Sequence, residues 1–220
     1  ENLKIYKQQK EFVENASHEL QTPLAVFQSQ LDMLLQQPDL TETETNIIQS
    51  LYSTSSRMSR LNKNLLLLAK MDNEQFQRRE AINFSTVLFD QLSPLKEMAE
   101  SNGIEVIVES MSPLTINANL ILLESLINNL IVNAIRHNVK GKGIVCIALE
   151  NNVLSISNTG QSEPLNPDKI FRRFSRTSEE KKGNGLGLSI VRQICILHNW
   201  EIIYAFRDNR HCFSVIFQPV

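Results

Sequence analysis

Two asparagines on one helical face are the first residues whose types and spacing suggest chemistry. Asn129 and Asn133 are four positions apart, so both amides project from the same face of a helix, and Arg136 and His137 follow one turn later. Asparagine is a mediocre helix former, and capping would explain only one of them. Amide oxygens can complete the coordination of Mg²⁺ held mainly by nucleotide phosphates. This helix therefore predicts a site for a metal-bound phosphate group.

A glycine-rich segment downstream leads into another helix. Gly183, Gly185 and Gly187 alternate just before an amphipathic run. Backbone N–H groups at such positions can approach a phosphate closely, and the helix N-terminus also attracts the anion. No apolar strand directly precedes these glycines, so they do not match the dinucleotide-binding fingerprint. The segment predicts a phosphate-binding loop only in combination with the asparagine helix.

Basic residues cluster directly before the glycine-rich segment. Five of them fall within twelve positions: Arg172, Arg173, Arg176, Lys181 and Lys182. The whole chain has 22 Lys and Arg against 24 Asp and Glu. A near-neutral chain lacks the basic excess of nucleic-acid-binding proteins, so we expect a small polyanionic ligand and no nucleic acid. The alternative is a solvated loop, partly neutralised by Glu179 and Glu180.

His18 is a further candidate and lies in a long amphipathic helix. Its neighbours one turn away are polar, so we expect the imidazole to face away from the apolar stripe. Pro23 removes a helical hydrogen bond nearby, which predicts a kink beside His18. The kink either shapes only the helix packing or exposes the imidazole to a moving partner.

A helical hairpin is the element that must position His18. Apolar residues recur at steps of three and four in two segments; the first helix ends before Pro38, and the second begins at a capping box of Thr41 and Glu44. Such a hairpin buries little surface, so we predict a homodimeric four-helix bundle. The alternative is packing of the hairpin on the rest of its own chain. The two apolar stripes are Val13, Ala16, Leu20, Leu24, Phe27, Leu31 and Leu34, and Ile47, Leu51, Met58, Leu61, Leu65 and Leu68, with Ser55 as a polar interruption.

Short β-rich runs alternate with helices after Asp72. Residues 1–72 are thus expected to form the hairpin, 73–80 a linker, and 81–220 an α/β sandwich with a mixed sheet, an α+β fold class for the whole chain. The predicted strands are 104–108, 144–149, 153–157, 201–206 and 212–217, and the predicted helices are 85–101, 119–138 and 186–199.

Composition limits the class of protein. The chain of 220 residues is 42% hydrophobic and 21% charged, which suits a folded protein of two unequal parts. Its three cysteines are odd in number and widely spaced, which favours a reducing compartment over a disulfide framework. No apolar run reaches the roughly 18 residues of a membrane span. We therefore expect a cytoplasmic location, with any membrane anchor in a segment upstream of Glu1.

Five motifs, taken in order, closely resemble the H, N, G1, F and G2 boxes of sensor histidine kinases. The matching segments are 17–24, 129–137, 158–160, 171–174 and 183–188. Their order and gaps match the family over nearly the whole chain. The resemblance implies a dimerisation and histidine-phosphotransfer hairpin followed by a catalytic ATP-binding domain of the GHKL, or Bergerat, type.

The resemblance also implies roles for the hairpin residues. His18 would be the phosphoacceptor that attacks the γ-phosphate of ATP, and Glu19 would orient or deprotonate its ring. Thr22 matches the position that orients water in the reverse, phosphatase reaction. The phosphoryl group would then pass to an aspartate on the receiver domain of a response regulator.

In the second domain, the resemblance implies a complete nucleotide site. Asn129 and Asn133 would hold Mg²⁺, Arg136 would neutralise phosphate charge, and a lid between Gly160 and Gly183 would close over ATP. Phe171 and Phe174 would anchor this lid. The implied nucleotide-binding residues are Asn129, Asn133, Arg136, His137, Asn158, Gly160, Phe171, Arg173, Phe174, Arg176, Gly183, Gly185, Leu186 and Gly187.

Three positions depart from the family pattern. Asn158 replaces the usual aspartate, and its amide oxygen can still accept a hydrogen bond from the adenine amino group. Ser162 replaces a glycine, and His137 stands where an aromatic residue is common. Two other functions stay open: a degenerate nucleotide-binding scaffold without turnover, and a GHKL-type ATPase that uses water, against which the histidine hairpin argues.

Overall fold

The computed structural model describes residues 2–71, 73–139, 141–175 and 185–218. The chain divides into two units, Glu1–Asp72 and Asn73–Val220. No helix in these described ranges is both long enough and apolar enough to cross a lipid bilayer.

The first unit is a pair of packed helices. Helix α1 spans Asn2–Leu35 and continues through Pro23, and helix α2 spans Glu42–Lys70. The capping box is confirmed, because the Glu44 N–H donates to the Thr41 hydroxyl and the Thr41 N–H donates to the Glu44 carboxylate at 2.9 Å. Together these contacts begin α2 at the predicted position.

The seam between α1 and α2 coincides only in part with the predicted apolar stripes, of whose members Leu31 alone is buried. Ile48, Ser55 and Asn62 are buried and spaced by seven, so they form one line along α2. The Asn62 side-chain amide donates to the Ser17 carbonyl at 2.6 Å across the seam. Ser55 is therefore part of the seam and not an interruption of it. Six large members of the predicted stripes are instead exposed in the single chain: Leu20, Phe27, Leu34, Ile47, Leu51 and Met58.

The second unit is a layer of helices on a five-stranded mixed sheet. The strand order is β2-β4-β5-β7-β6, with β2 and β4 parallel and the other neighbours antiparallel. Helix α5 contacts both α4 and α7, and each of the three helices contacts a strand of the sheet. The strands are β1 Glu80–Asn83, β2 Ile104–Met111, β3 Thr115–Ala118, β4 Gly143–Glu150, β5 Val153–Thr159, β6 Glu201–Arg207 and β7 Arg210–Ile216. The helices are α3 Glu74–Gln77, α4 Phe84–Glu100, α5 Leu120–Arg136, α6 Pro167–Ile170 and α7 Gly187–His198.

Helix α5 supplies the centre of the core. Its buried face includes Leu123, Leu126, Leu130 and Ala134, each at most 1% exposed. Burial of each Leu side chain contributes on the order of 2 kcal/mol. The helix is thereby fixed firmly enough to hold the polar groups on its other face.

Turn chemistry fixes two of the sheet connections. Asn151 and Asn152 join β4 to β5, and Asp208 and Asn209 join β6 to β7, all with positive φ. Two-residue hairpins need this backbone conformation, which Asn and Asp adopt more readily than other non-glycine residues. These turns set the register of the strands that end beside the candidate site.

Pairing between distant segments adds elements that local patterns do not predict. The segment 73–80, expected to be a linker, contains α3 and the first residue of β1. Strand β1 pairs with β3 in a separate two-stranded sheet. Only Ile82 of β1 is buried, so the strand lacks the apolar alternation that would identify it.

The three cysteines are free thiols, as expected for a chain without a disulfide framework. Cys146 and Cys195 are buried. Burial raises the pKa of the Cys195 thiol to about 12, so this group stays protonated at neutral pH and serves as a small core residue.

Candidate functional site

The middle of α5 and the start of α7 meet at Asn129 and Gly187. The Asn129 side-chain N–H donates to the Ser125 carbonyl at 2.8 Å, so its amide oxygen is the acceptor that faces Gly187. A Cβ at Gly187 would lie 3.0 Å from that oxygen. A glycine therefore favours this close approach, because any other side chain would crowd the Asn129 amide, and the approach brings the two predicted phosphate motifs together.

The N-terminus of α7 has the properties of an anion site. Its N-cap residue, Leu186, makes no side-chain capping hydrogen bond, and its first turn contains no acidic residue. The Ser189 hydroxyl donates to the Leu186 carbonyl at 2.8 Å, so it does not act as a cap. The first backbone N–H groups of a 12-residue helix are thus available to a negatively charged ligand next to Asn129.

The ends of β5 and α5 meet at Gly160. A Cβ there would lie 2.9 Å from the His137 carbonyl oxygen and 2.9 Å from Cδ2 of His211, so this position tolerates only glycine without displacement of its neighbours. Asn158, two residues earlier, is 1% exposed and donates through its side-chain N–H to the Thr159 carbonyl at 2.7 Å. That contact orients the Asn158 amide oxygen as the remaining acceptor.

The segment after α6 returns to the start of α7 at Gly185. The Phe174 N–H donates to the Gly185 carbonyl at 2.8 Å, and Gly185 has a positive φ of 66°. A Cβ at Gly185 would lie 2.7 Å from the Ser175 carbonyl oxygen. Glycine is required at position 185 for two reasons. Residues with a side chain disfavour this positive φ, and a Cβ would clash with the Ser175 carbonyl oxygen.

The two predicted aromatic anchors differ in their packing. Phe171 packs edge-on against Phe213, with ring centroids 6.5 Å apart. Phe174 is 60% exposed, and its own backbone is left-handed with φ of 59°. Only Phe171 is therefore held by aromatic packing within the described residues.

The remaining predicted nucleotide residues have mixed environments. Arg136 is half-buried at the last turn of α5, and His137 is exposed at its C-cap. Arg173 is exposed and Leu186 is fully buried. Arg176 and Gly183 lie outside the described residues.

Two residues that the sequence motifs missed, Tyr204 and His211, support the segment after Gly160. The Leu165 N–H donates to the Tyr204 hydroxyl at 2.9 Å, and His211 lies 2.9 Å from both the Tyr204 hydroxyl and the Gln161 carbonyl. The carbonyl can only accept, so Nε2 of His211 carries the hydrogen and Nδ1 accepts from Tyr204. Burial lowers the pKa of His211 and raises that of Tyr204, which favours this neutral pair. No local signal marks either residue, because their partners lie in other elements.

His18 is exposed on α1, as its polar neighbours predicted, and so are Glu19 and Thr22. Its Nε2 lies 2.7 Å from the Lys70 ammonium nitrogen at the end of α2. The exposed imidazole thus has one partner from the other helix of its own hairpin. Sequence motifs did not identify Lys70, because it lies 52 positions from His18 in the chain.

The residues of the second unit fit Mg²⁺ held chiefly by a nucleotide. Among the described residues, no group of three or more His, Cys, Asp and Glu side chains could hold a metal ion by itself. The amide oxygen of Asn129, beside the N-terminus of α7, suits an ion that takes most ligands from phosphates and water. Asn133, one turn further on α5, is partly exposed and can add a second amide oxygen.

Two family models match the two units. Residues 8–74 match the His Kinase A (phospho-acceptor) domain, and residues 118–219 match the histidine kinase-, DNA gyrase B- and HSP90-like ATPase domain. The chain belongs to the sensor histidine kinase family, and its α+β fold is a helical hairpin followed by a GHKL-type domain.

Individual relatives agree with this assignment. The sensor protein CutS of Streptomyces coelicolor is 36% identical over 208 residues, which are 90% of this chain and 50% of CutS. The heme sensor protein HssS of Staphylococcus aureus is 32% identical over 201 residues, 87% of this chain and 42% of HssS. The chain thus spans half or less of these relatives. The crystal structure of full-length ShkA in complex with AMPPNP shares the fold, with a TM-score of 0.68 at 21% identity over 96% of this chain and 46% of ShkA.

Proposed function

We propose that this chain is the core of an ATP-dependent histidine kinase, in which the second unit binds ATP and His18 receives its γ-phosphoryl group. The observation that carries the proposal is the meeting of Asn129 with the N-terminus of α7. This arrangement offers an amide oxygen and backbone N–H groups to the same phosphate chain. Family membership supplies the reaction class, and the comparisons give no support to a degenerate scaffold.

Each part of the nucleotide has a proposed partner. The Asn158 amide oxygen accepts a hydrogen bond from the adenine amino group, while Arg136, Arg173 and the α7 N-terminus neutralise the phosphates. Asn129 and Asn133 hold Mg²⁺, which supplies further neutralisation of phosphate charge when bound. Positioning and electrostatics of this kind are most of what phosphoryl transfer requires.

The acceptor step takes place at Nε2 of His18. The Nε2 lone pair forms the bond to the γ-phosphorus as the bond from phosphorus to the β,γ-bridging oxygen breaks, and ADP leaves with that electron pair. Glu19, the adjacent exposed carboxylate, is the proposed acceptor for the hydrogen on Nδ1. The phosphoryl group then passes to an aspartate of a receiver domain, and Thr22 orients water in the reverse, phosphatase reaction.

A homodimer is the proposed assembly. The exposed apolar side chains of the hairpin include Leu20, Phe27 and Leu34 on α1 and Leu51 and Met58 on α2. Heptad-spaced apolar residues on both helices form a face that a second copy covers in a four-helix bundle. We place this core on the cytoplasmic side of the membrane, and any membrane anchor belongs to another segment of a longer protein.

The proposal is tested by incubating the chain with γ-labelled ATP and Mg²⁺ and measuring acid-labile label on the protein. We expect His18→Gln to lose the label while it still binds ATP. Asn129→Ala should lose at least about a hundredfold in rate, the scale of lost transition-state stabilisation. Asn128→Ala is the matched control, because Asn128 is the exposed neighbour on α5 and should label normally. Undiminished labelling of His18→Gln would refute the proposal, and ATP binding without any label would favour the scaffold.

A further inference from the structure

The contact between Lys70 and His18 joins the two helices of the hairpin at the reactive ring. The Lys70 ammonium nitrogen lies 2.7 Å from Nε2 of His18, although the two residues are 52 positions apart in the chain. Lys70 is the last residue of α2, and it is half-buried while His18 is exposed. A cation is therefore held at one particular atom of the imidazole.

This contact defines the hydrogen positions on the His18 ring. A lysine ammonium has three donors and no acceptor, so Nε2 must be the acceptor. The hydrogen of the neutral ring then resides on Nδ1. Lys70 thus selects the tautomer with a lone pair on Nε2, which is the atom that must attack phosphorus.

A second contact from α2 fixes the backbone at the same place. The buried Asn62 amide donates to the carbonyl of Ser17, the residue directly before His18, at 2.6 Å. Asn62 and Lys70 are eight positions apart, so they lie close to one face of α2. One helix therefore holds both the backbone and the ring of the acceptor residue.

We propose, on the basis of the proposed function, that Lys70 binds the phosphoryl group carried by phosphorylated His18. When the N–P bond forms, the Nε2 lone pair is no longer an acceptor, and the ammonium loses its partner. The flexible four-carbon stem then carries it to the phosphoryl oxygens, which are bonded to the phosphorus on that same nitrogen. No proton moves to or from Lys70 in this exchange.

The exchange favours the phosphorylated state. A hydrogen bond from an ammonium to an anionic phosphoryl oxygen is stronger than one to a neutral ring nitrogen. Removal of the ammonium should therefore shift the equilibrium between ATP with free His18 and ADP with phosphorylated His18 back toward ATP. A lysine that only completes the C-terminus of α2 would leave this equilibrium unchanged.

The test measures this equilibrium in the full chain. The protein is incubated with Mg²⁺ and defined ratios of ATP to ADP until the phosphorylated fraction of His18 is constant. We expect Lys70→Met to lower the equilibrium constant about threefold to tenfold, the range of one charge-assisted hydrogen bond near the surface. Lys70→Arg should restore most of it, and Lys63→Met, which removes an exposed lysine from the same helix, should have no effect.

An equilibrium constant that is the same for Lys70→Met and Lys63→Met would overturn the proposal. A loss that Lys70→Arg does not restore would also overturn it, because a second cation on a long stem should reach the same oxygens.

A separate readout distinguishes this proposal from the proposed function. In the unphosphorylated chain, ¹⁵N NMR of the imidazole reports the tautomer of His18 without ATP. We expect the Nδ1–H form to predominate in the wild type and to fall in Lys70→Met. Absence of phosphorylated His18 in the wild type refutes the kinase function, whereas an unchanged tautomer ratio in Lys70→Met refutes the contact.

Discussion

The two units of the chain differ in how much apolar surface they bury. Within the described residues 2–71, the buried apolar side chains are Leu31, Ile48 and Met71. The second unit buries apolar faces of α5 and α7 and of strands β4, β5 and β7. Because burial of apolar surface is the main favourable term in folding, the second unit has a core of its own, whereas the small buried area of the hairpin supports the proposed dimer.

This difference in core packing parallels the chemical roles proposed for the two units. The rigid core of the second unit holds Asn129, Asn158 and Gly187 in fixed positions around a proposed nucleotide site. The thin hairpin instead presents His18 at its surface, with hydrogen bonds from α2 to the ring and to the preceding carbonyl. A preorganised donor site and an accessible acceptor are the two components that a phosphotransfer reaction needs.

The largest effect is expected from a charged residue introduced into the exposed apolar face of the hairpin, which should weaken dimerisation. Phe27 is 42% exposed in the single chain, and a dimer would bury it twice. We expect Phe27→Glu to weaken dimerisation by about 4 kcal/mol, roughly a thousandfold, since burial of each Phe contributes about 2 kcal/mol. Sedimentation equilibrium measures this change.

The matched control lies in the second unit. Phe89 is 70% exposed on α4, so Phe89→Glu should leave the dimer intact. Equal weakening by both variants would show that the hairpin face is not the dimer interface.

The next largest effect is expected from a mutation that creates a cavity in the core of the second unit. Leu130 is 1% exposed, so Leu130→Ala should lower the free energy of unfolding of this unit by about 3 kcal/mol at any protein concentration. Leu20→Ala, in the hairpin, should instead destabilise a transition whose midpoint rises with protein concentration. Denaturant titrations at two concentrations, followed by circular dichroism, separate the two behaviours. A concentration-independent hairpin transition would contradict the proposed difference between the units.

A smaller effect is expected at the proposed adenine contact. Asn158→Leu keeps the side-chain size but removes the amide oxygen, so ATP binding should weaken about tenfold, or about 1.4 kcal/mol. Affinity for inorganic triphosphate, which has no adenine, should stay the same. Titration calorimetry with both ligands checks this, and equal loss for both would point to damage of the site as a whole.

The smallest predicted effect is the pH dependence of the second unit. Burial lowers the pKa values of His198 and His211. As pH falls below about 6.5, the unfolded chain takes up protons before the folded chain does, so stability is full above that pH and declines below it. His211→Gln removes one titrating group and should reduce this decline by less than about 1 kcal/mol. Thermal unfolding between pH 5 and 8 measures the slope, and an identical slope in the variant would exclude His211 as a contributor.

Local patterns predicted the parts of the site that depend on a single helix or turn. The spacing of Asn129 and Asn133, the exposure of His18 and the capping box of Thr41 with Glu44 are properties of neighbouring residues. The Lys70 contact with His18 and the support of Gln161 by His211 join residues 50 or more positions apart, so no local pattern encodes them. The period of the apolar residues in α1 and α2 likewise predicted helices, but it could not tell the inner seam from the exposed face.

Location of the phosphoryl group tests the central claim most directly. After incubation of the chain with ATP and Mg²⁺, tandem mass spectrometry at neutral pH can assign the modification among the four histidines, His18, His137, His198 and His211. We predict phosphorylation of His18 alone. His198 and His211 are only 3% and 4% exposed, and His137, although exposed, lies outside residues 8–74, which match the phospho-acceptor domain. A phosphoryl group on any of the other three, or none on His18, would contradict the account.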